Sequence, residues 1–129
     1  MRNNPVCWFE IHVQDMPRAK AFYEGVLEAK LEKLNSPEID MSPEIDMWAF
    51  GMDGNKAGAG GSLVKMPGLP SGGNSTLVYF ACEDCAIEEG RVEKFGGRVE
   101  RAKMSIGEYG FVTMAFDTEG NLFGLHSLK

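Results

Sequence analysis

The residues best suited to chemistry occupy alternate positions of one short segment: Trp8, Glu10 and His12. Val6 to Val13 alternates, so Cys7, Phe9, Ile11 and Val13 share one side of a strand, and Trp8, Glu10 and His12 the other. The first side is wholly apolar and suits packing beneath a helix. The second is too mixed for a core and too aromatic for open solvent, and a curved sheet whose concave face forms a ligand cleft accounts for it. His126, in phase with Leu122 and Gly124, and Tyr79, in phase with Leu77 and Ala81, extend the same set. The chain's two histidines thus fall on the strands that begin and end it. Either alone reads as a half-exposed histidine on a sheet surface; both opposite apolar faces favour a site. Trp8, Glu10, His12, Tyr79 and His126 are the candidate ligand-binding residues. Glu10, His12 and His126 are the candidate acid–base groups.

Other chemistry is weaker. Cys82 and Cys85 form a CxxC at a strand-to-helix junction, where a helix N-terminus lowers a thiol pKa. Glu83 and Asp84 between them work against thiolate, and with three cysteines in all a four-cysteine zinc site is excluded within one chain. Gly58, Gly60 and Gly61 lack the Lys-Ser/Thr ending of a phosphate loop and no helix follows, so close backbone approach within a sheet is expected. Ser36 to Met41 recurs unchanged as Ser42 to Met47, with two prolines and four acids. That composition predicts a loop or ragged edge and a neutral surface insertion, and its acids do not follow a calcium-loop spacing. An acidic lid is the alternative.

The elements that must position these residues occur twice. A strand runs through an acid into a helix at Val13-Gln14-Asp15-Met16 and again at Cys82-Glu83-Asp84-Cys85, about 69 residues later. Asp15 is placed to cap its helix, with Pro17 in the first turn. Met16, Ala19, Phe22, Tyr23, Val26 and Leu27 follow at helical spacing as one apolar stripe. Further strands are expected to start within Ala29–Lys33 and to run at Met47–Met52 and at Ser62–Met66. The second half repeats the plan: a strand at Thr76–Cys82, a helix at Cys85–Phe95, then strands at Arg98–Lys103, Phe111–Asp117 and Leu122–Ser127. The chain therefore reads as one domain of two βαβββ modules, 1–66 and 76–129, joined by a Pro-, Gly- and Ser-rich linker, 67–75.

A chain of 129 residues can bury a core without staples. Its 13 basic and 19 acidic side chains give a net charge of −6, which disfavours nucleic acid. The four acids of the tandem repeat account for much of this, leaving −2 for the remainder of that −6. No apolar run reaches the roughly 20 residues of a membrane span, and no signal-peptide core is present, so no membrane partner is expected. An odd cysteine count argues against a disulfide framework and for a cytoplasmic location.

The whole chain resembles the vicinal-oxygen-chelate superfamily, which includes glyoxalase I, bleomycin-resistance proteins and extradiol dioxygenases. The resemblance is carried by Trp8-Phe9-Glu10-Ile11-His12-Val13, by Asp15 with Ala19-Lys20-Ala21-Phe22-Tyr23 and Val26-Leu27, and by Gly96-Gly97 and Ser105-Ile106-Gly107 with Gly110-Phe111. The closing Asp117-Thr118-Glu119-Gly120-Asn121 and Gly124-Leu125-His126-Ser127 complete it. It implies an α+β fold, a cup-shaped eight-stranded mixed sheet with a helix outside each module, often in a homodimer. In the family's metalloenzymes a divalent ion is held from the first, fourth, fifth and eighth strands, positions that here are Trp8, Ser62, Leu77 and Gly124. Trp8, Leu77 and Gly124 cannot coordinate a hard cation, and the arginine that glyoxalase I uses for glutathione is replaced by His12. No cofactor is therefore expected. The resemblance implies either a metal-free small-molecule-binding protein, or a lyase or isomerase using Glu10, His12 or His126 as acid–base groups or displaced metal ligands.

Overall fold

The computed structural model describes residues 3–35 and 44–129. The chain runs β1 (Val6–His12), α1 (Met16–Leu27), β2 (Glu32–Leu34), β3 (Asp46–Ala49), β4 (Gly60–Lys65) and β5 (Thr76–Ala81). It continues through α2 (Cys85–Val92), β6 (Arg98–Ser105), β7 (Phe111–Phe116) and β8 (Leu122–Ser127). All eight strands form one open mixed sheet, in the order β2-β3-β4-β1-β5-β8-β7-β6. Each βαβββ module thus contributes four adjacent strands. The modules meet where β1 pairs antiparallel with β5, whereas β1–β4 and β5–β8 are parallel.

Local chemistry sets the helices. Asp15 accepts the Arg18 amide at 3.0 Å at the start of α1, and Asp84 accepts the Ala86 amide at 3.0 Å at the start of α2. A 3-10 turn, Glu93–Phe95, follows α2, so the helical reading through Phe95 is right in extent but not in helix type for its last turn. The core beneath α1 joins Met16 and Leu31 to Leu63, with Ile11, Val13, Ala19 and Tyr23 packed around them. Ile11 and Val13 of the first strand therefore face the helix, whereas Cys7, beside a register irregularity between Val6 and Trp8, lies on the other side of the sheet with Trp8.

The stripe along α1 is narrower than its spacing suggests. Met16, Ala19 and Tyr23 fill the arc toward the sheet, while Phe22, Val26 and Leu27 remain exposed. Phe22 lies about 100° around the helix from Tyr23 and meets that ring edge-on at 5.1 Å instead of entering the core. Residues 36–43 of the tandem repeat lie outside the described residues. The end of the second copy does not stay a loop: Asp46 and Met47 open β3, where Met47 is buried. Gly61 needs its missing side chain, because a Cβ there would meet the Phe9 ring at 2.4 Å.

The sheet curls. Tyr109, in the turn between β6 and β7 at one end of the strand order, donates its hydroxyl to the Asn35 carbonyl just past β2 at the other end, at 3.1 Å. The concave side thereby becomes a cup with strands of both modules in its wall.

Candidate functional site

The cup holds a cavity of about 760 Å³. Trp8, Glu10, His12, Tyr79 and His126 all lie on its wall. Strand alternation puts the first three there together, and the β1–β5 register sets Trp8 beside Tyr79 and Glu10 beside Leu77.

Glu10 is the centre of this wall. Its Oε1 accepts the Tyr79 hydroxyl at 3.0 Å, and its Oε2 accepts the Trp8 indole N–H at 3.1 Å. Two donors from two modules therefore hold one carboxylate in fixed orientation. Burial among apolar neighbours raises the Glu10 pKa above the ordinary carboxylate value, opposed in part by those two hydrogen bonds. The Tyr79 phenol is pushed well above its usual value, first by burial and then by the Glu10 charge. Tyr79 is thus a permanent donor.

His12 is 4 % exposed, and among the described residues neither of its ring nitrogens has a hydrogen-bond partner. Burial lowers its pKa, so the ring is held neutral. His126 differs. Its Nε2 lies 2.6 Å from the Tyr109 carbonyl, which can only accept, so that nitrogen carries a proton. The approach depends on Gly110, at φ 104°, where a Cβ would meet the Ser127 carbonyl at 2.5 Å.

The larger part of the lining is apolar, and sequence reasoning missed its character. Met47, Met52, Met66, Met104 and Met114, five of the chain's eight methionines, line the cavity. Thioether side chains give an apolar surface that reshapes to its contents. The methionine count was the available signal. Charge is sparse and of mixed sign: Glu10, Glu100 and Glu108 against Arg101.

The CxxC pair lies apart from the cup. Burial, and then Glu88, push the Cys82 thiol up to about 12, and Cys85 is buried against the Thr113 hydroxyl at 3.7 Å. Neither suits thiolate chemistry. Among the described residues no cluster of three or more His, Cys, Asp or Glu has the arrangement to hold a metal ion. Nor, among them, is any helix long and apolar enough to cross a membrane.

The model of the Glyoxalase/Bleomycin resistance protein/Dioxygenase superfamily matches residues 6–125. The chain belongs to that superfamily. Among solved structures, a methylmalonyl-CoA epimerase from Mycobacterium tuberculosis superposes with a TM-score of 0.66 at 15% identity, covering 97% of this chain and 88% of the other. The Streptomyces coelicolor methylmalonyl-CoA epimerase in complex with 2-nitronate-propionyl-CoA gives 0.65 at 14% identity, over 95% and 96%. An uncharacterized protein from Methanosarcina mazei gives 0.58 at 12% identity, over 98% and 94%. These likenesses show the fold. No protein of curated function matches the sequence.

At three of the four positions that the resemblance gives for the superfamily's metal ligands, the side chains offer nothing to a hard divalent ion. Trp8 offers an indole N–H already given to Glu10, Leu77 offers hydrocarbon, and Gly124 offers no side chain. The space a side chain at 124 would take is filled: a Cβ there would lie 2.2 Å from the Tyr79 ring. The ring whose phenol supports Glu10 thus fills the space beside Gly124.

Proposed function

We propose that this superfamily member binds a flat, largely apolar small molecule in its cup without a metal, the ligand's cationic or hydrogen-bond-donating end resting on Glu10. One observation carries the reading: a carboxylate held in place by Trp8 and Tyr79 stands in a largely apolar, methionine-rich cavity. The volume is that of an ordinary small-molecule pocket, within about 300–1,000 Å³. Trp8 and Tyr79 supply aromatic surface, and a cation between them and Glu10 gains both charge and ring contacts. His12 and His126 complete the polar side. The reading includes a cytoplasmic location and a homodimer; light scattering on the purified protein checks the dimer.

A second reading, a lyase or isomerase, is favoured by one specific feature. Glu10, its pKa raised by burial, and His12, its pKa lowered by burial, stand two residues apart on one strand face, as an acid–base pair would. Methylmalonyl-CoA epimerases share the fold, but the fold hosts many chemistries.

Fluorescence titration with the planar cationic dye proflavine tests the binding reading. Glu10→Gln is expected to weaken binding by about 1.5–3 kcal/mol, the range for a charge-assisted hydrogen bond. Equal affinity in wild type and variant contradicts it.

A further inference from the structure

The reading of the cup as a small-molecule site gives no role to the arginine in its wall. Arg101 is partly buried and lines the cavity from β6, the strand at one end of the sheet. Regular alternation would put it elsewhere. Val99 pairs with Ala115, which shares the helix side of β7 with Thr113, whose hydroxyl donates to Glu89 of α2 at 2.7 Å. Two residues on from Val99, Arg101 would point to that same side. It pairs with Met114 of the cup instead, because β6 advances two residues there while β7 advances one. Glu100 is the extra residue of this bulge, and a second bulge before Met104 keeps that side chain in the cup as well. Bulges disrupt the ladder locally and re-aim side chains, and this one turns a guanidinium inward.

The strand registers place Arg101 on one line with the two residues that hold Glu10. Trp8 pairs with Tyr79, Tyr79 with Gly124, Gly124 with Met114, and Met114 with Arg101. Paired residues share a face, so this line crosses the cup from β1 to β6, roughly 19 Å along the curled sheet. Its ends are opposite in charge: Glu10 stands beside Trp8, and Arg101 closes the other end. Between them lie the Tyr79 ring, spread over Gly124, and the Met114 thioether, a continuous apolar strip. Of the other acids in the wall, Glu100 is paired with Arg98 at 2.9 Å, and Glu108 is exposed on the turn before β7.

We propose that Arg101 is the second polar anchor of the cup and takes the acid group, a carboxylate, sulfonate or phosphate, of a planar ligand whose N–H end lies at Glu10. The inference rests on the small-molecule reading of the cup and adds the other end of the ligand. A guanidinium presents five N–H donors in a planar fork, which matches two oxygens of such a group. The ligand class so defined is bipolar, with a flat aromatic body lying on Tyr79 and Met114.

The test is fluorescence titration with 2,6-toluidinonaphthalenesulfonate, which carries an amine N–H and a sulfonate at opposite ends of its naphthalene. The uncharged N-phenyl-2-naphthylamine, of similar outline, is the comparison probe. The ratio of the two affinities, sulfonate over uncharged, is expected to fall about tenfold or more in Arg101→Gln, as for loss of a charge-assisted hydrogen bond. Arg101→Glu should lower it further, since a carboxylate there repels the sulfonate. A ratio unchanged in these variants overturns the inference, while binding of the uncharged probe leaves the cup reading standing. Binding of neither probe by wild type overturns the cup as a ligand site as well. Proflavine is expected to displace the sulfonate probe from wild type; a sulfonate probe that stays bound sits outside the cup and overturns the assignment of Arg101.

Discussion

The Tyr79 hydroxyl reaches Glu10 Oε1 at 3.0 Å across the seam between the two modules, and the Tyr79 ring lies over Gly124 on the next strand. One side chain thus supports the carboxylate and fills the space beside Gly124. Tyr79→Phe removes a hydrogen bond that holds the Glu10 pKa down. The Glu10 carboxyl is expected to titrate at higher pH in the variant than in wild type, followed by carbon-13 NMR of the side chain. A titration that is unchanged or moves down contradicts the assigned geometry.

Gly124→Ala puts a methyl group 2.2 Å from the Tyr79 ring if nothing moves. The ring must shift, at a cost of about 1–3 kcal/mol of stability typical of overpacking, and the Glu10 contact loosens with it. Urea unfolding checks the first effect, and the Glu10 titration the second. A variant as stable as wild type would mean the ring has room the structure does not show.

His12 sets a pH dependence whose sign follows from its burial. Its folded pKa lies below the value of 6.5 that applies to the unfolded chain, so the unfolded state binds the extra proton first. Stability from this group is present above pH 6.5 and is lost as pH falls through the lower folded value. Glu10 has the opposite sign: its folded pKa is above 4.5, so it adds stability as the pH falls toward that value. Comparing His12→Phe with wild type isolates the histidine. The variant is expected to gain on wild type steadily below pH 6.5 in urea unfolding; parallel pH profiles would contradict the burial of a neutral ring.

Deleting Ser42 to Met47 is expected to leave stability within about 0.6 kcal/mol, the effect of halving a loop. Asp46 and Met47 do belong to β3, where Asp46 pairs with Lys33 and Met47 lines the cup. The first copy, however, ends in the same Asp40-Met41, which the deletion brings into their place. A loss of several kcal/mol in unfolding free energy would show that the repeat has contacts of its own.

The fold and part of the site were legible in the sequence for a geometric reason. Period-two alternation assigns each residue of a strand to a face, so Trp8, Glu10 and His12 had to stay together once Phe9 and Ile11 went to the helix. The repeated strand–acid–helix junction then doubled the module. What stayed hidden depends on register. The Glu10–Tyr79 bond needs the β1–β5 pairing, which no local pattern specifies. Met104 was obscured because β6 is mostly polar and its pairing with β7 slips twice, between Val99 and Arg101 and between Arg101 and Met104. The His126 contact is to a backbone carbonyl, which carries no side-chain signature. Phe22 and Val26 misled in the other direction, since helical spacing shows that residues share a side without showing how wide a side the sheet covers.

The central claim is that the cup binds its ligand through Glu10 with no metal. Native mass spectrometry of freshly purified protein tests it most directly, because it weighs chain, metal and ligand together. The account predicts a chain mass free of any divalent ion as purified and, on adding proflavine with EDTA present, one bound dye per chain that is reduced in Glu10→Gln. About one nickel, zinc, manganese or iron ion per chain as purified, with dye bound only when that ion is present, would contradict it.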